Sequence, residues 1–257
     1  MTIKRYTWSY PYFIFLAVFA VLPLVLVALY AFQDAGGHFT FENITRFFSD
    51  SDALNTFAVS IEVAIENTAL CLLLGYPAAW ILANRKYNRS AVTVILFMLP
   101  MWVNALMRTL ATAELFNMLG FNLGKGTLLF GMVYDYLPFM IYPIYNVLNK
   151  MDRSYEEAAA DLGATPMQVF WKVTVPLSKA GIISGIMMVF MPTVSTFAIS
   201  EFLTNNKVKL FGTIIQENIN SSMWNYGAAL ALIMLVIIGI TTFFWGDDNK
   251  DKEESAI

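Results

Sequence analysis

Six apolar segments, near residues 11–32, 58–83, 91–113, 128–149, 181–203 and 226–245, are each long enough to cross about 30 Å of hydrocarbon as a helix. In lipid every backbone N–H and C=O must be satisfied within its own helix or within a closed barrel, so runs of this length dictate a helical membrane protein. With 58% hydrophobic residues among 257 positions, little chain remains for a separate soluble domain. The expected fold is therefore all-α: six transmembrane helices over residues 11–245, an N-terminal segment 1–10, and a flexible mixed-charge tail 246–257. Lys4-Arg5 ahead of the first run has the look of a secretion signal. The apolar core is about twenty residues, longer than the roughly 7–15 of such signals, and no small-residue cleavage site follows, so it reads as a retained span.

Six spans put both termini on one side. Lys4, Arg5, Arg85, Lys86, Arg89, Lys150, Arg153, Lys172 and Lys179 fall on that side, against Arg46, Lys125, Lys207 and Lys209 on the other. The excess of base places the termini and the loop 151–180 in the cytoplasm. Pro23, Pro77, Pro100, Pro138, Pro143 and Pro192 interrupt the spans, which suits either a kinked pathway or routine membrane-helix packing. No internal repeat is evident. Cys71 is the only cysteine and His38 the only histidine, so neither a disulfide nor a metal site follows from them.

Of the loops, the one over residues 151–180 is the most specific. Ser154 and Glu157 have capping-box spacing, Glu156 and Glu157 favour the positive end of a helix, and Gly163 supplies its stop. Thr165-Pro166 then reads as N-cap and first residue of a second short helix, closed by Pro176. A compact hairpin between two spans has no part in crossing the bilayer; it has to meet something outside it.

Acids gather toward the non-cytoplasmic ends of the spans. Glu62 and Glu66 share one helical face, Glu114 ends the third span, Asp135 lies about 10 Å into the fourth, and Glu201 ends the fifth. Arg108 is the only base expected among them. An ionised group at mid-bilayer costs about 2.5–3.5 kcal/mol, so each calls for a reason. Carboxylates and the aromatics Trp102, Tyr134, Tyr136 and Phe197 suit a cation, and a linear polyamine suits carboxylates spread along a path. The bland alternative pairs Arg108 with one acid and leaves Glu114 and Glu201 among headgroups.

Glu157-Ala158-Ala159, three residues, Gly163, nine residues, then Val173-Thr174-Val175-Pro176 resembles the EAA loop of ABC-importer permeases, with valine at its isoleucine and leucine positions. The resemblance implies a coupling hairpin that docks on a cytoplasmic ATPase through Glu156, Glu157, Ala158, Ala159, Asp161, Gly163, Ala164, Pro166 and Pro176. Three further stretches are similar to spermidine/putrescine permeases of the PotB type: Pro100 to Arg108, Leu137 to Tyr145, and Ser200-Glu201-Phe202-Leu203, the last with glutamate for aspartate. With Gly75-Tyr76-Pro77 these cover most of residues 55–220. The connection from Glu114 to Thr127 is shorter than the family's.

The family would place Trp102 and Glu201 on the substrate pathway; Asp135 joins them on depth and charge alone. It also implies a second, homologous permease subunit, two ATPase subunits, an extracytoplasmic polyamine-binding protein and a bacterial inner-membrane location, with ATP and Mg held by the ATPase and no cofactor in this chain. Gly120 to Thr127 glances at a phosphate-binding loop. It has three residues before Gly124-Lys125 where four are needed, and Gly126 where a hydroxyl residue belongs. No Ser-His-Asp set or catalytic acid–base pair appears, so a transport subunit is expected rather than an enzyme. Iron, sulfate or molybdate stand as other cargoes, and a cation-coupled secondary transporter as the rival class.

Overall fold

The computed structural model describes residues 10–84, 87–88 and 90–253. Lys4, Arg5, Arg85, Lys86 and Arg89, on which much of the charge asymmetry rests, lie outside the described residues, as do residues 254–257 of the expected tail. Apart from one bridge between Gln33 and Phe39, the regular structure among the described residues is helical. The helices are α1 (Pro11–Ala31), α2 (Glu42–Ser49), α3 (Ser51–Ala83), α4 (Ala91–Met98, with a 3-10 turn Leu99–Trp102), α5 (Ala105–Met118) and α6 (Lys125–Lys150). They continue with α7 (Ser154–Asp161), α8 (Pro166–Leu177), α9 (Lys179–Ser195), α10 (Ala198–Thr204), α11 (Phe211–Asn220) and α12 (Trp224–Glu253). The last helix runs on through residues 247–253, where the sequence suggests a flexible tail.

Among the described residues four helices, α1, α3, α6 and the part of α12 from Trp224 to Thr242, are long and apolar enough to cross a membrane. Six spans result only if two bent pairs each count as one. The expected third span, 91–113, is two helices meeting at 88°. Pro100 cannot continue the hydrogen-bond ladder, Val103 is extended, and the Asn104 side chain restarts a helix by accepting from Leu106 N–H and Met107 N–H at 2.9 and 3.3 Å. The expected fifth span, 181–203, is also not continuous: α9 stops at Ser195 and α10 begins at Ala198. Its bent partner is α8, across a 65° bend at Ser178. Pro77, Pro138, Pro143 and Pro192, by contrast, sit inside unbroken helices.

The chain divides into two compact units, residues 1–55 with 214–240, and residues 56–213 with 241–257. In the second, α6 is the central post. Met140, fully buried, fits against two glycines: a Cβ on Gly75 of α3 would come within 2.9 Å of it, and one on Gly185 of α9 within 2.8 Å. One turn away, a Cβ on Gly181 would meet the Pro143 carbonyl at 2.9 Å. Gly181 and Gly185 thus form a small-x-x-x-small stripe that lets the α9 backbone close on α6, the usual route to tight packing where lipid supplies no hydrophobic drive. Buried polar pairs add to it, with Asn67 donating to Thr193 at 2.8 Å and Thr127 donating to the Leu203 carbonyl at 2.7 Å. Each such pair contributes about 0.6 kcal/mol.

Candidate functional site: a docking hairpin and a carboxylate cleft

Residues 151–180 fold as two short helices about a glycine turn. Gly163 adopts φ +85°, the Gly163 and Ala164 amides bond back to the Ala160 and Ala159 carbonyls, and α7 ends there. Thr165 caps α8 and trades bonds with Gln168, the expected restart. Two details differ from expectation. The first helix takes its capping acceptor two residues earlier: Asp152 accepts the Ser154 N–H at 2.9 Å, Ser154 is already helical, and the Ser154/Glu157 box does not form. That bond holds the Asp152 carboxyl below its ordinary pKa. Pro176 does not close α8, which continues to Leu177. A π turn over Phe170–Thr174, closed by Val175 N–H on the Phe170 carbonyl, admits the proline ring instead. The same device precedes Pro23, where the Leu22 N–H reaches the Ala17 carbonyl.

The hairpin is fastened to the helices behind it. Thr174 donates to Glu156 at 2.7 Å and joins the two arms. Tyr76 and Ser178 share a 2.9 Å hydrogen bond, and the Phe170 ring stands edge-on to Tyr76 and Trp80 at 5.7 and 5.9 Å. Glu156 is therefore an internal strut, and Ala159 and Ala164 are half-buried. Glu157, Ala158, Asp161, Gly163, Pro166 and Pro176 are exposed. So are large apolar groups beside them: Leu162, at the turn, is 90% exposed, with Met167 and Trp171 at 66% and 61%. Exposed apolar side chains grouped on a braced turn suit a contact surface.

The intramembrane acids sort into two groups. Lys125 at the start of α6 reaches Glu62 and Glu66 of α3 at 2.7 and 2.9 Å, so a second base joins Arg108 among the acids. Arg108 of α5 meets Asp135 of α6 at 3.3 Å, with the two residues 7% and 2% exposed. Thr109 donates to the other Asp135 oxygen at 3.1 Å, and the guanidinium stands 5.6 Å from the Tyr134 ring centre. Asp135, expected on the substrate pathway, is buried here with the counter-charge that a buried carboxylate needs. Trp102 is 82% exposed at the break between α4 and α5.

Glu114 and Glu201 are different. They line an open cleft of about 430 Å³ together with Asn117, Asn205, Asn206 and Phe202, and neither is ion-paired among the described residues. Asn205 and Asn206 take positive φ of 50° and 60° to turn the chain after α10, which sets both amides on the cleft wall. Depth along the spans put Glu114 and Glu201 at one level, but nothing in the spacing brought Asn117 of α5 or the turn asparagines after α10 to them.

A family model for the binding-protein-dependent transport system inner membrane component matches residues 4–249. The chain belongs to that family. It is the permease component of such a system, an inner-membrane transport protein. Among its relatives, the spermidine/putrescine transport system permease protein PotB of Escherichia coli K12 is 32% identical over 220 residues, covering 79% of this chain and 80% of that protein. PotB of Haemophilus influenzae is 30% identical over 262 residues, covering 93% and 91%. The fold is shared with a chain of a bacterial ABC transporter that imports alginate, at TM-score 0.70 and 17% identity over 97% of this chain and 99% of the other. It is shared also with a chain of the MetNI methionine ABC transporter, at TM-score 0.58 and 15% identity over 79% and 95%.

Proposed function

We propose that this permease component serves an ATP-driven ABC importer for polyamines of the spermidine/putrescine kind. The observation that carries the cargo is the cleft: two carboxylates without a counter-ion, three side-chain amides and an aromatic ring, with no base on its walls. Carboxylates give an ammonium its counter-charge, and amide oxygens complete its hydrogen bonds. Sulfate or molybdate would call for bases there. The PotB relatives favour the same cargo.

Glu201, with Glu114, takes one ammonium, and Trp102 offers an aromatic face at the break of the bent helix pair. Asp135 acts through Arg108, holding α5 on α6. The hairpin docks on an ATPase through its exposed apolar turn, with Glu157, Ala158, Asp161, Gly163 and Pro166 on the contact. In this reading the hairpin and both termini are cytoplasmic, the bent pair α4–α5 and helix α9 each make one span to give six, a homologous permease completes the pathway, two ATPases bind ATP and Mg, and a binding protein delivers polyamine from outside.

The test is ATPase activity of the complete complex in lipid, with its binding protein, against polyamines, Fe³⁺, sulfate and molybdate. Stimulation by polyamines alone, weakened severalfold at subsaturating polyamine by E201Q together with E114Q, is the expected result. Stimulation by an anion or by iron instead overturns the cargo while leaving the hairpin's role standing. A cation-coupled carrier would show uptake abolished by an uncoupler at constant ATP.

A further inference from the structure

The connection between α1 and α3, in the first compact unit, is a rigid structure with one unpartnered face. After Ala31 the chain reverses tightly. Asp34 accepts the Gly36 and His38 N–H groups at 2.8 Å each, Gly37 turns at φ +80°, and Gln33 bridges Phe39. The reversal gathers three rings: Phe39 lies 5.8 Å from Phe32, Phe41 lies 5.5 Å from Phe32, and Phe39 and Phe41 are 5.1 Å apart. Helix α2 is then pinned on its inner side. Asn43 donates to the Ala31 and Gln33 carbonyls at 3.2 and 2.8 Å, Phe47 is buried, and the Arg46 guanidinium stands 4.2 Å over the Tyr226 ring.

Its other side is left bare. Phe41 and Phe48 lie two helical turns apart and share a face. Both are exposed, as is Phe39 at 71%. Each such ring covers on the order of 150–250 Å² of apolar surface, so three on one rigid ridge require an apolar neighbour.

Two observations identify that neighbour as the bilayer. The apolar stretch of α1 is exposed along its length, and the ridge follows directly on its end, so the two surfaces are continuous. Asn225 also donates to the carbonyls of Tyr30, Gln33 and Asp34 at 3.2, 2.8 and 3.3 Å, which sets the start of α12 level with the end of α1. The ridge therefore stands where two apolar helices reach one membrane boundary, beside exposed Tyr30 and Trp224. Aromatic residues concentrate at that depth. We propose that Phe39, Phe41 and Phe48 rest in the lipid headgroup layer and fix the depth of this end of α1 and α12. The nearby charges are Asp34, Glu42, Asp50 and Asp52, with His38 beside Asp34 and Arg46 held over Tyr226, so the seating is apolar and owes nothing to anionic lipid.

The test uses the complete complex in lipid nanodiscs, with spin labels at F39C, F41C and F48C, a reference label at F19C within α1, and the parent protein with its buried Cys71 as background. Collision rates with oxygen, which partitions into lipid, are compared with those of the water-soluble nickel chelate NiEDDA. Oxygen should exceed nickel at all three positions, by less than at position 19, and the ratios should hold when anionic lipid is removed or salt is raised. Nickel in excess would place the ridge in water, as a face for a binding protein, and overturn the proposal. Exclusion of both reagents would mean a covering protein and overturn it equally. Phe48 lies outside the Phe32–Phe39–Phe41 cluster, so F48C decides the matter if the other two variants assemble poorly.

Discussion

Removing Arg108 alone should unfold this permease more readily than removing Arg108 and Asp135 together. Asp135 is 2% exposed, and its counter-charge among the described residues is one guanidinium at 3.3 Å; Thr109 gives it one further hydrogen bond. In R108M the carboxylate stays behind without that charge, and breaking a buried pair in this way costs about 3–5 kcal/mol. D135L strands the guanidinium, whose Nε and Nη1 already have no hydrogen-bond partner, at a similar cost. The pair itself is poorly made: the charges touch, but Asp135 Oδ1 accepts no well-directed hydrogen bond. Replacing both by apolar groups of like size removes two desolvation costs and one weak attraction, and should be near neutral or stabilising by about 1–4 kcal/mol. At roughly 2–4 °C per kcal/mol for a chain of this size, each single variant should lose roughly 6–20 °C in thermal inactivation of the solubilised complex. The double variant should return to the parent value or above it. Uptake then separates structure from pathway. The double variant should transport if, as proposed, Asp135 holds helices and does not meet cargo. Two single variants within a degree or two of the parent would refute the pairing. A stable double variant without uptake would return Asp135 to the pathway.

Other consequences follow from particular contacts. Gly185→Val puts methyl groups where a Cβ alone would stand 2.8 Å from Met140 Sδ and 3.1 Å from its carbonyl; overpacking of this kind costs about 1–3 kcal/mol and should lower thermal stability, with relief from a second change, Met140→Ala. Gly163→Ala meets no neighbour within 4 Å, so its cost is the left-handed backbone, about 1–2 kcal/mol; intact assembly with reduced uptake per ATP hydrolysed is expected. For Asp152 the folded pKa is depressed, so its support of α7 is fully present above the ordinary carboxylate range and is lost as pH falls through the lowered folded value. Amide exchange at the start of α7 should quicken over that acid window relative to neighbouring helices, and D152A should be fast at every pH and lack the step.

What the sequence revealed and what it hid divide along the range of the interaction. Gly163 and Thr165 act on their own few residues, and the backbone they require is the one observed. The Ser154 cap failed by a short shift for an equally local reason, since Asp152 offers a better-placed acceptor before the same helix. The break after Trp102 was legible in principle from Pro100 followed by Asn104, a stop and a cap, but the unbroken apolar composition masked it. The charge pairings are another matter. Glu62 and Glu66 stand 63 and 59 residues before Lys125, and only the packing of α3 on α6 brings them to one amine. Depth along each span placed the acids at a common level. Which acid takes which base depends on helix rotation, which no spacing records.

The stretches similar to polyamine permeases acquire a mechanical meaning once they are in place. Gly75, Met140 and Pro143 come from two of them and meet, with Gly181 and Gly185, where α3, α6 and α9 lie closest. Tyr76, the neighbour of Gly75, binds Ser178 at the bend between hairpin and α9, and Phe170 of the hairpin packs on its ring. A displacement of α7 and α8 cannot be absorbed within the hairpin, because Glu156 and Thr174 lock its arms. Nor can α9 slide freely on α6 while glycines hold the backbones in contact. The bends left to take up the movement are those at Ser178, at Val103-Asn104 and at Thr196-Phe197, where helices meet without a continuous hydrogen-bond ladder. Two of these three flank Arg108 and the cleft of Glu114 and Glu201: α5 begins just after the second and α10 just after the third. The rigid contacts thus connect the hairpin proposed to dock to the post of the bundle, and the soft joints lie beside the carboxylates that would hold the cargo.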